Sequence, residues 1–485
     1  MPYQFNPFTG NFDIAGIVGP QGPQGPAGTT SAATILSNGT YTAAPYGRYI
    51  TEGFGGTIIN DPSSPSGGTF YEVINSIGTV QFGTGGPIFG PSGVTLLRLY
   101  DGSKWETVQQ TLDRNGNGPK LLNWNYALAN IRNQNSKTAK ILCLGDSTTA
   151  GGAGAASNGK ASAWPRFLAQ ELSARGLTAV ENGFIGTQTN VFVGSSPATI
   201  QAQLLAYEGR LSIGGDWGWT QNYAVAGAYW GGDGGGSYSS SPATFTFTPE
   251  TYYDTIVIYY LNGAGSGNST FTWSNGTSSG TLGVSSSTLN VATSKNSVTR
   301  TLAPVTITWA SGSVIYIQGI SLYDSTQNQI QVMNAGSAGI SAYAIVNTNP
   351  TTLSNALPAL GADLTIVNLG INDYGSGTDP SGFQSNLTAI CNSAATTGSV
   401  LVCSWIPWIN SVTNGPAYLD AMNASASACG GAFLNMALVA GYNYNDVINL
   451  GSQQSVGILN SDGVHPNYYG GKLIAQSIAK IITGN

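Results

Sequence analysis

The chain has 485 residues, of which 8% are charged and 41% hydrophobic, and its net charge is -6. At roughly 150 residues per domain this length asks for two to four domains; the charged share is far below the roughly 25% of ordinary globular chains, and the apolar share is too large for a disordered one. No cluster of Lys and Arg occurs, so the basic footprint of a nucleic-acid or anionic-membrane binder is missing, which demotes both as partners and favours a neutral polymer as the class of ligand that suits such a surface.

Residues 1–15 begin MPYQFNPFTGNFD, without the basic and apolar regions of a secretory signal, and no run approaches the roughly 18 apolar residues of a membrane span. They are read as an attachment peptide on a protein made without a signal peptide and not inserted in a membrane. Over 16–30 glycine recurs at 16, 19, 22, 25 and 28, and proline follows three of these glycines. Strict period three with Pro is the pattern of a collagen-like stalk, because only Gly fits at the axis of a triple helix; it implies a homotrimer. Residues 31–118 alternate β-type runs (TILSNGTYT, TFYEVIN, VTLLRLYDG) with turns such as DPSSPSGG, and are expected to form a small β-rich, trimeric domain. A short peptide, a collagen-like stalk and a small β module together resemble the front end of bacteriophage tail fibres and tailspikes.

Near residue 119 the texture changes. A helix-like segment leads to the apolar run AKILCL, which ends at Gly145-Asp146-Ser147. Trp164, Phe167, Leu168 and Leu172 then mark one face of an amphipathic helix. Further apolar runs, LTIVNL at 364–369 and SVLVCS at 399–404, alternate with helix-compatible stretches, and Leu473, Ile474, Ile478 and Ile482 lie on one face of a last helix after Pro466. Continuous apolar strands separated by helices predict a parallel sheet covered on both faces, built from 119–204 and 329–485. The intervening 205–328 carries TFTFT, TIVIYYL, STFTW, PVTITW and SVIYIQG, and is expected to be an inserted β-sandwich of carbohydrate-binding type. Trp273 and Trp309 fall within strand runs and read as core. Trp217, Trp219 and Trp230 fall in Gly-rich stretches read as loops and are candidate sugar-stacking residues, whereas Trp405 and Trp408 of WIPW, at the end of another core strand, are candidates either for walling the acyl or sugar pocket or for a purely structural role.

Cys143, Cys391, Cys403 and Cys429 form no C-x-x-C pair, and Cys143 and Cys403, inside apolar runs, read as buried thiols. With a single histidine in the chain, a His-based metal site is not expected. That histidine, His465, stands three residues after Asp462, so the carboxylate can hold one imidazole nitrogen while the other faces a nucleophile. Ser147, in the turn after a buried strand, is the candidate nucleophile. The tetrahedral intermediate of acyl transfer needs donors for its oxyanion; the backbone N–H groups of Ser147 and Gly339 and the side-chain amide of Asn372 are the candidates. Asp373 has the plainer expectation of fixing loop hydrogen bonds.

GDS at 145–147, the glycine of NAGSAG at 339, GIND at 370–373 and DGVH at 462–465, in this order, resemble the SGNH (GDSL-type) hydrolases. The resemblance spans 119–485 apart from the insertion. It implies a flavodoxin-like three-layer α/β/α core, the triad Ser147, Asp462 and His465, an oxyanion hole of Ser147, Gly339 and Asn372, no metal or organic cofactor, and esterase or deacetylase activity, often on acetylated polysaccharides. Joined to the N-terminal architecture, it gives the expectation of a trimeric tail fibre or tailspike in the virion. Such a protein binds other tail proteins through its N-terminus and removes O-acetyl groups from host surface polysaccharide. The rival readings are a non-catalytic receptor-binding fibre and a secreted bacterial carbohydrate esterase or lipase.

Overall fold

In a computed structural model, the described residues are short segments within 3–14 and 34–110, then 120–483 apart from 135–137, 152–162, 186–207, 216, 221–227, 232–241, 264–268, 285–287, 313, 348–351, 405–413, 437–458 and 461–463. The collagen-like segment expected at 16–30 lies outside them. Within 34–110 the strands pair in two sheets. One runs in the order Trp105–Gln110, Thr95–Tyr100, Phe70–Asn75, Arg48–Thr51, Thr34–Leu36, and the other in the order Gly39–Thr42, Thr57–Asn60, Val80–Phe82, Ile88–Phe89.

The larger part of the chain is organised by a six-stranded, all-parallel sheet. Its strands are β1 (Thr138–Gly145), β2 (Ala179–Val180), β3 (Gln329–Gly336), β4 (Leu364–Asn368), β5 (Ser399–Cys403) and β6 (Ala432–Leu434), in the spatial order β2-β3-β1-β4-β5-β6. The strands are continuous apolar runs because both faces are covered. Ala139, Ile141 and Cys143 of β1 enter a core with α1 (Leu122–Arg132), α3 (Trp164–Ala174) and α8 (Tyr468–Thr483), whereas Leu142 and Leu144 enter a second core with α6 (Pro380–Ala395) and α7 (Gly415–Ala428). The result is an α/β/α stack.

The helices follow from their apolar stripes and ends. Trp164, Phe167, Leu168 and Leu172 are all buried on α3, and Pro165 occupies the first turn, where no backbone N–H is needed. On α8, Ile474, Ile478 and Ile482 are buried while Leu473 is half-buried. This helix starts after Asn467 rather than at Pro466: the Asn467 side-chain oxygen accepts from the N–H groups of Tyr469 and Gly470 at 2.9 and 3.0 Å. Trp124 ties the layers together, since its indole N–H donates to the carbonyl of Ile482 at 2.7 Å and its backbone N–H to Ser399 Oγ at 3.0 Å. Each fully buried large side chain of this kind contributes about 1.5–3 kcal/mol.

Between β2 and β3 the chain forms two antiparallel sheets that share one apolar core. Tyr253–Asn262, a central strand of one of them, is buried on both faces. Ile256, Ile258 and Tyr260 point into the shared core, and Val257, Tyr259 and Leu261 pack against the core of the parallel-sheet part. This is why TIVIYYL is an unbroken apolar run. Trp273 is buried in the shared core and Trp309 is half-buried against it.

One expectation is corrected here. Trp217 and Trp219 lie on the strand Trp217–Thr220, and Trp230 on Ala228–Gly231, not in loops. The two strands pair so that Trp217 stands opposite Gly231 and Trp230 opposite Gly218.

The insertion is joined to the parallel sheet by backbone and by charge. Gly183–Ile185, just after β2, pairs with Ile315–Tyr323, whose chain then enters β3. Beside this seam Arg210 donates to both carboxylate oxygens of Glu208 at 2.8 and 2.7 Å and to the carbonyl of Glu181 at 2.7 Å, while Arg166 of α3 makes a two-pronged pair with Glu250 at 2.7 and 2.9 Å. In a chain with so few charges, five gathered at one join fix its register.

Candidate active site

The strand order reverses at β1: the chain passes from β1 to β3 on one side and then returns to β4 on the other. In open α/β sheets the crevice at the carboxyl ends of two such strands is where ligands bind. Ser147 follows β1 and Asn372 follows β4, so both flank this crevice.

The turn that carries Ser147 is built by close packing. A Cβ on Gly145 would stand 2.0 Å from Thr149 Oγ1 and 2.7 Å from the carbonyl of Asn368, and one on Gly336 would stand 2.2 Å from the Ala150 nitrogen. Glycine at the ends of β1 and β3 is what lets the short helix α2 (Ser147–Ala150) sit against the sheet. Asp146 caps that helix, its Oδ1 accepting from the N–H and hydroxyl of Thr148 at 2.9 and 2.8 Å. Beneath the turn, Asn368 Oδ1 lies 2.9 Å from Thr148 Oγ1 and accepts from Thr149 Oγ1 at 3.2 Å, and Asn368 Nδ2 donates to the carbonyl of Cys403 at 3.0 Å. The indole of Trp164 donates to Thr149 Oγ1 at 3.3 Å. This buried polar network is absent from the sequence-based site. Its visible signal was a lone Asn at the end of the apolar run of β4, where a buried polar group needs partners.

His465 Nε2 lies 2.8 Å from Ser147 Oγ. The turn that carries it is closed on itself: the N–H of Asn460 donates to the carbonyl of His465 at 2.8 Å, Leu459 bridges Pro466, and Asn467 Nδ2 donates to the carbonyl of Leu459 at 3.1 Å. Asp462, expected as the third triad member, lies outside the described residues, as do Trp405 and Trp408.

The two loops expected to supply oxyanion donors meet beside this pair. The N–H of Ser337 donates to the carbonyl of Gly145 at 2.9 Å, which brings the loop after β3 against the end of β1. In that loop Gly339 is exposed and holds φ 75, a left-handed conformation that glycine adopts without penalty. Asn372 stands on α5 (Ile371–Gly375), and its amide donates one hydrogen to the carbonyl of Ile340 at 2.8 Å; an amide nitrogen carries two, so one remains. Asp373 Oδ2 and Oδ1 accept from the N–H groups of Ala342 and Tyr343 at 2.9 and 3.2 Å, the first residues of α4 (Ala342–Asn347). Its carboxylate is therefore engaged in holding the Gly339 loop to the Asn372 loop.

Burial dominates the electrostatics. Asp146 is 1% exposed, and burial pushes its carboxyl up to about 6 against the pull of the two Thr148 hydrogen bonds and of His465. Burial likewise raises the Asp373 carboxyl, with the N–H bonds of Ala342 and Tyr343 opposing it. Cys143, Cys391 and Cys403 are buried free thiols, and burial raises Cys143 and Cys403 well above the ordinary thiol range. Among the described residues no group of three or more His, Cys, Asp or Glu side chains is placed to hold a metal ion. A serine hydroxyl in hydrogen-bond contact with an imidazole, beside loops offering N–H donors, is equipped for acyl transfer through a covalent intermediate.

Comparison of the sequence with protein-family models and with curated proteins finds no match. Among solved structures the chain is similar to a peptidoglycan O-acetylesterase, with a TM-score of 0.56 at 15% identity over 75% of this chain and 97% of that one. A family 3 carbohydrate esterase from Talaromyces cellulolyticus overlays with a TM-score of 0.24 at 21% identity, over 34% of this chain and 77% of that one. A G-D-S-L family lipolytic protein from Veillonella parvula DSM 2008 overlays with a TM-score of 0.25 at 20% identity, over 32% and 81%. Only the first of these likenesses is high enough to speak for the fold, and at such low identity it speaks for nothing else.

Proposed function

We propose that this protein is a serine esterase that removes acyl groups, in the first instance O-acetyl, from a carbohydrate. The observation that carries this reading is the 2.8 Å contact between His465 Nε2 and Ser147 Oγ. His465 takes the proton of Ser147 as the hydroxyl attacks the ester carbon, and Asp462 orients the imidazole. The N–H groups of Ser147 and Gly339 and the remaining amide hydrogen of Asn372 hold the oxyanion. His465 then gives the proton to the departing alcohol oxygen, and water, deprotonated by the same imidazole, releases the acid and restores the serine. No cofactor enters these steps.

The wider setting is part of the same reading. The Gly-x-y run at 16–30 supports a trimeric stalk, and the weakly charged surface supports a neutral polysaccharide as substrate. Together they favour a tail fibre or tailspike in a phage virion, attached through residues 1–15, whose hydrolytic part deacetylates host surface glycan while the fibre adheres to it. The insertion of 205–328 is read as a carbohydrate-binding unit.

The test is hydrolysis of p-nitrophenyl acetate and butyrate by the full chain beside Ser147→Ala, followed by acetate release from acetylated polysaccharides. Activity that prefers acetate and disappears in the variant supports the esterase. Equal rates from both proteins sink it and leave a fibre that only binds glycan. Light scattering tests the trimer, and a mass of one chain contradicts the stalk.

A further inference from the structure

The esterase chemistry has a direction. Because His465 delivers a proton to the departing oxygen, the alcohol half of the ester lies on the histidine side of Ser147, and the acyl oxygen lies toward Gly339 and Asn372. The residues that meet the alcohol are thus those around the His465 turn.

Two of the few large apolar side chains exposed among the described residues stand there, adjacent to each other: Tyr468 is 50% and Tyr469 is 68% exposed. They follow His465 by three and four residues, so even a fully extended chain keeps the Tyr469 Cα within about 14 Å of that of His465. Their backbone is held at the start of the helix. The N–H of Tyr469 is held by Asn467 Oδ1 at 2.9 Å, and the same Asn467 closes the His465 turn through Leu459. The Tyr468 ring meets the buried Phe167 ring edge-on, with centroids 5.1 Å apart, and Lys472 Nζ sits 4.5 Å from its centroid. The Tyr469 ring stands across it at 87°, with centroids 5.6 Å apart. The pair forms a corner: Tyr468 is a wall fixed by Phe167 and Lys472, and Tyr469 is the more exposed ring. A fixed aromatic ring presented to water suits a ligand with an apolar face and a polar rim, which describes a pyranose ring.

We propose that Tyr468 and Tyr469 form the subsite for the sugar ring that leaves with the alcohol oxygen, with Tyr469 as the stacking surface. This rests on the esterase reading above. It assigns the substrate class as esters of cyclic saccharides rather than of simple alcohols or lipids.

The experiment compares kcat/KM for glucose pentaacetate with that for ethyl acetate, whose alcohol is too small to reach the corner. In Tyr469→Ala the ratio of the two is expected to fall about tenfold, the share of one aromatic stacking contact, and mainly through KM on the sugar ester. Tyr469→Trp keeps the ratio, and Tyr126→Ala, which removes an equally exposed tyrosine from α1, leaves it at the wild-type value. A ratio unchanged in Tyr469→Ala, or shifted as much by Tyr126→Ala, overturns the subsite while leaving the esterase intact. A wild-type protein that cleaves neither ester removes the esterase reading and the subsite with it.

Discussion

His465 and Ser147 are 318 positions apart and meet at 2.8 Å between Nε2 and Oγ. The contact exists because β1 delivers Ser147 to the carboxyl edge of the sheet, and the turn before α8 folds back over the same edge, closed by Asn460, Asn467 and the Leu459–Pro466 bridge. Ser147→Ala and His465→Ala are each expected to lower kcat on p-nitrophenyl acetate by about 10⁴–10⁶-fold. The double variant should be no worse than either single one, because the two groups act as a unit. Steady-state kinetics on the three proteins, with circular dichroism to confirm the fold, checks this, and additive losses would contradict it.

Asn372 presents a different balance. One of its amide hydrogens is spent on the carbonyl of Ile340, which ties the loop after β4 to the loop after β3, and the other is the one proposed as oxyanion donor. Asn372→Ala should therefore cost about 10²–10³-fold in kcat with little change in KM. Asn372→Asp, which cannot donate when ionised, should cost at least as much. Full activity in either variant would remove Asn372 from the oxyanion hole.

How much of this was legible in the residues depends on the range of the interaction. AKILCL and the Trp164, Phe167, Leu168, Leu172 stripe announce a buried strand and the helix that covers it, because burial on two faces or one stripe leaves a local signature. The GDS, NAGSAG and GIND blocks are equally local, each at or just after a strand end, and His465 stands in the turn before α8. Pairings between distant strands leave no such mark. Nothing in GFI at 183–185 foretells that it pairs with Ile315–Tyr323, and WGWT and AYWG read as glycine-rich loops until their cross-strand partners are known. Asn368, too, showed only as a polar interruption in an apolar run; its partners Thr148 and Thr149 come from another strand's turn.

The pH dependence of stability follows from Asp146. Its folded carboxyl titrates at about 6 against an ordinary 3.8, so the neutral form is favoured in the fold. The associated stability is present below the ordinary value and is lost as pH rises through the folded one, and for a fully buried group a shift of this size corresponds to about 3 kcal/mol. Asp146→Asn keeps a side-chain oxygen to cap Thr148 and cannot ionise. The variant should therefore gain on the wild type between pH 4 and pH 7. Thermal unfolding of both proteins across this range is the measurement, and a pH-independent difference would refute it.

At the seam between the insertion and the parallel sheet, Arg210 is the residue on which the charges converge. It is 9% exposed, bonds both oxygens of Glu208 and lies 3.6 Å from the buried carboxylate of Glu181. Arg210→Met keeps much of the side-chain volume but takes the shared cation from the buried carboxylates of Glu208 and Glu181, leaving Arg166 Nη1 at 3.6 Å as the cation beside Glu181, a loss of about 3–5 kcal/mol. Adding Glu208→Gln removes one of those charges and should restore part of the loss. Burial raises the carboxyl of Glu250, yet the hydrogen bond and charge of Arg166, with Arg210, outweigh it and hold the group below its ordinary value, so the stability that Glu250 contributes is lost as pH falls. Unfolding at neutral pH should then begin in the insertion in Arg210→Met, with hydrogen exchange rising first in Leu211–Gly214 and Thr244–Phe247. If exchange rises uniformly over the chain instead, the cluster does not act as the local fastening of the two parts.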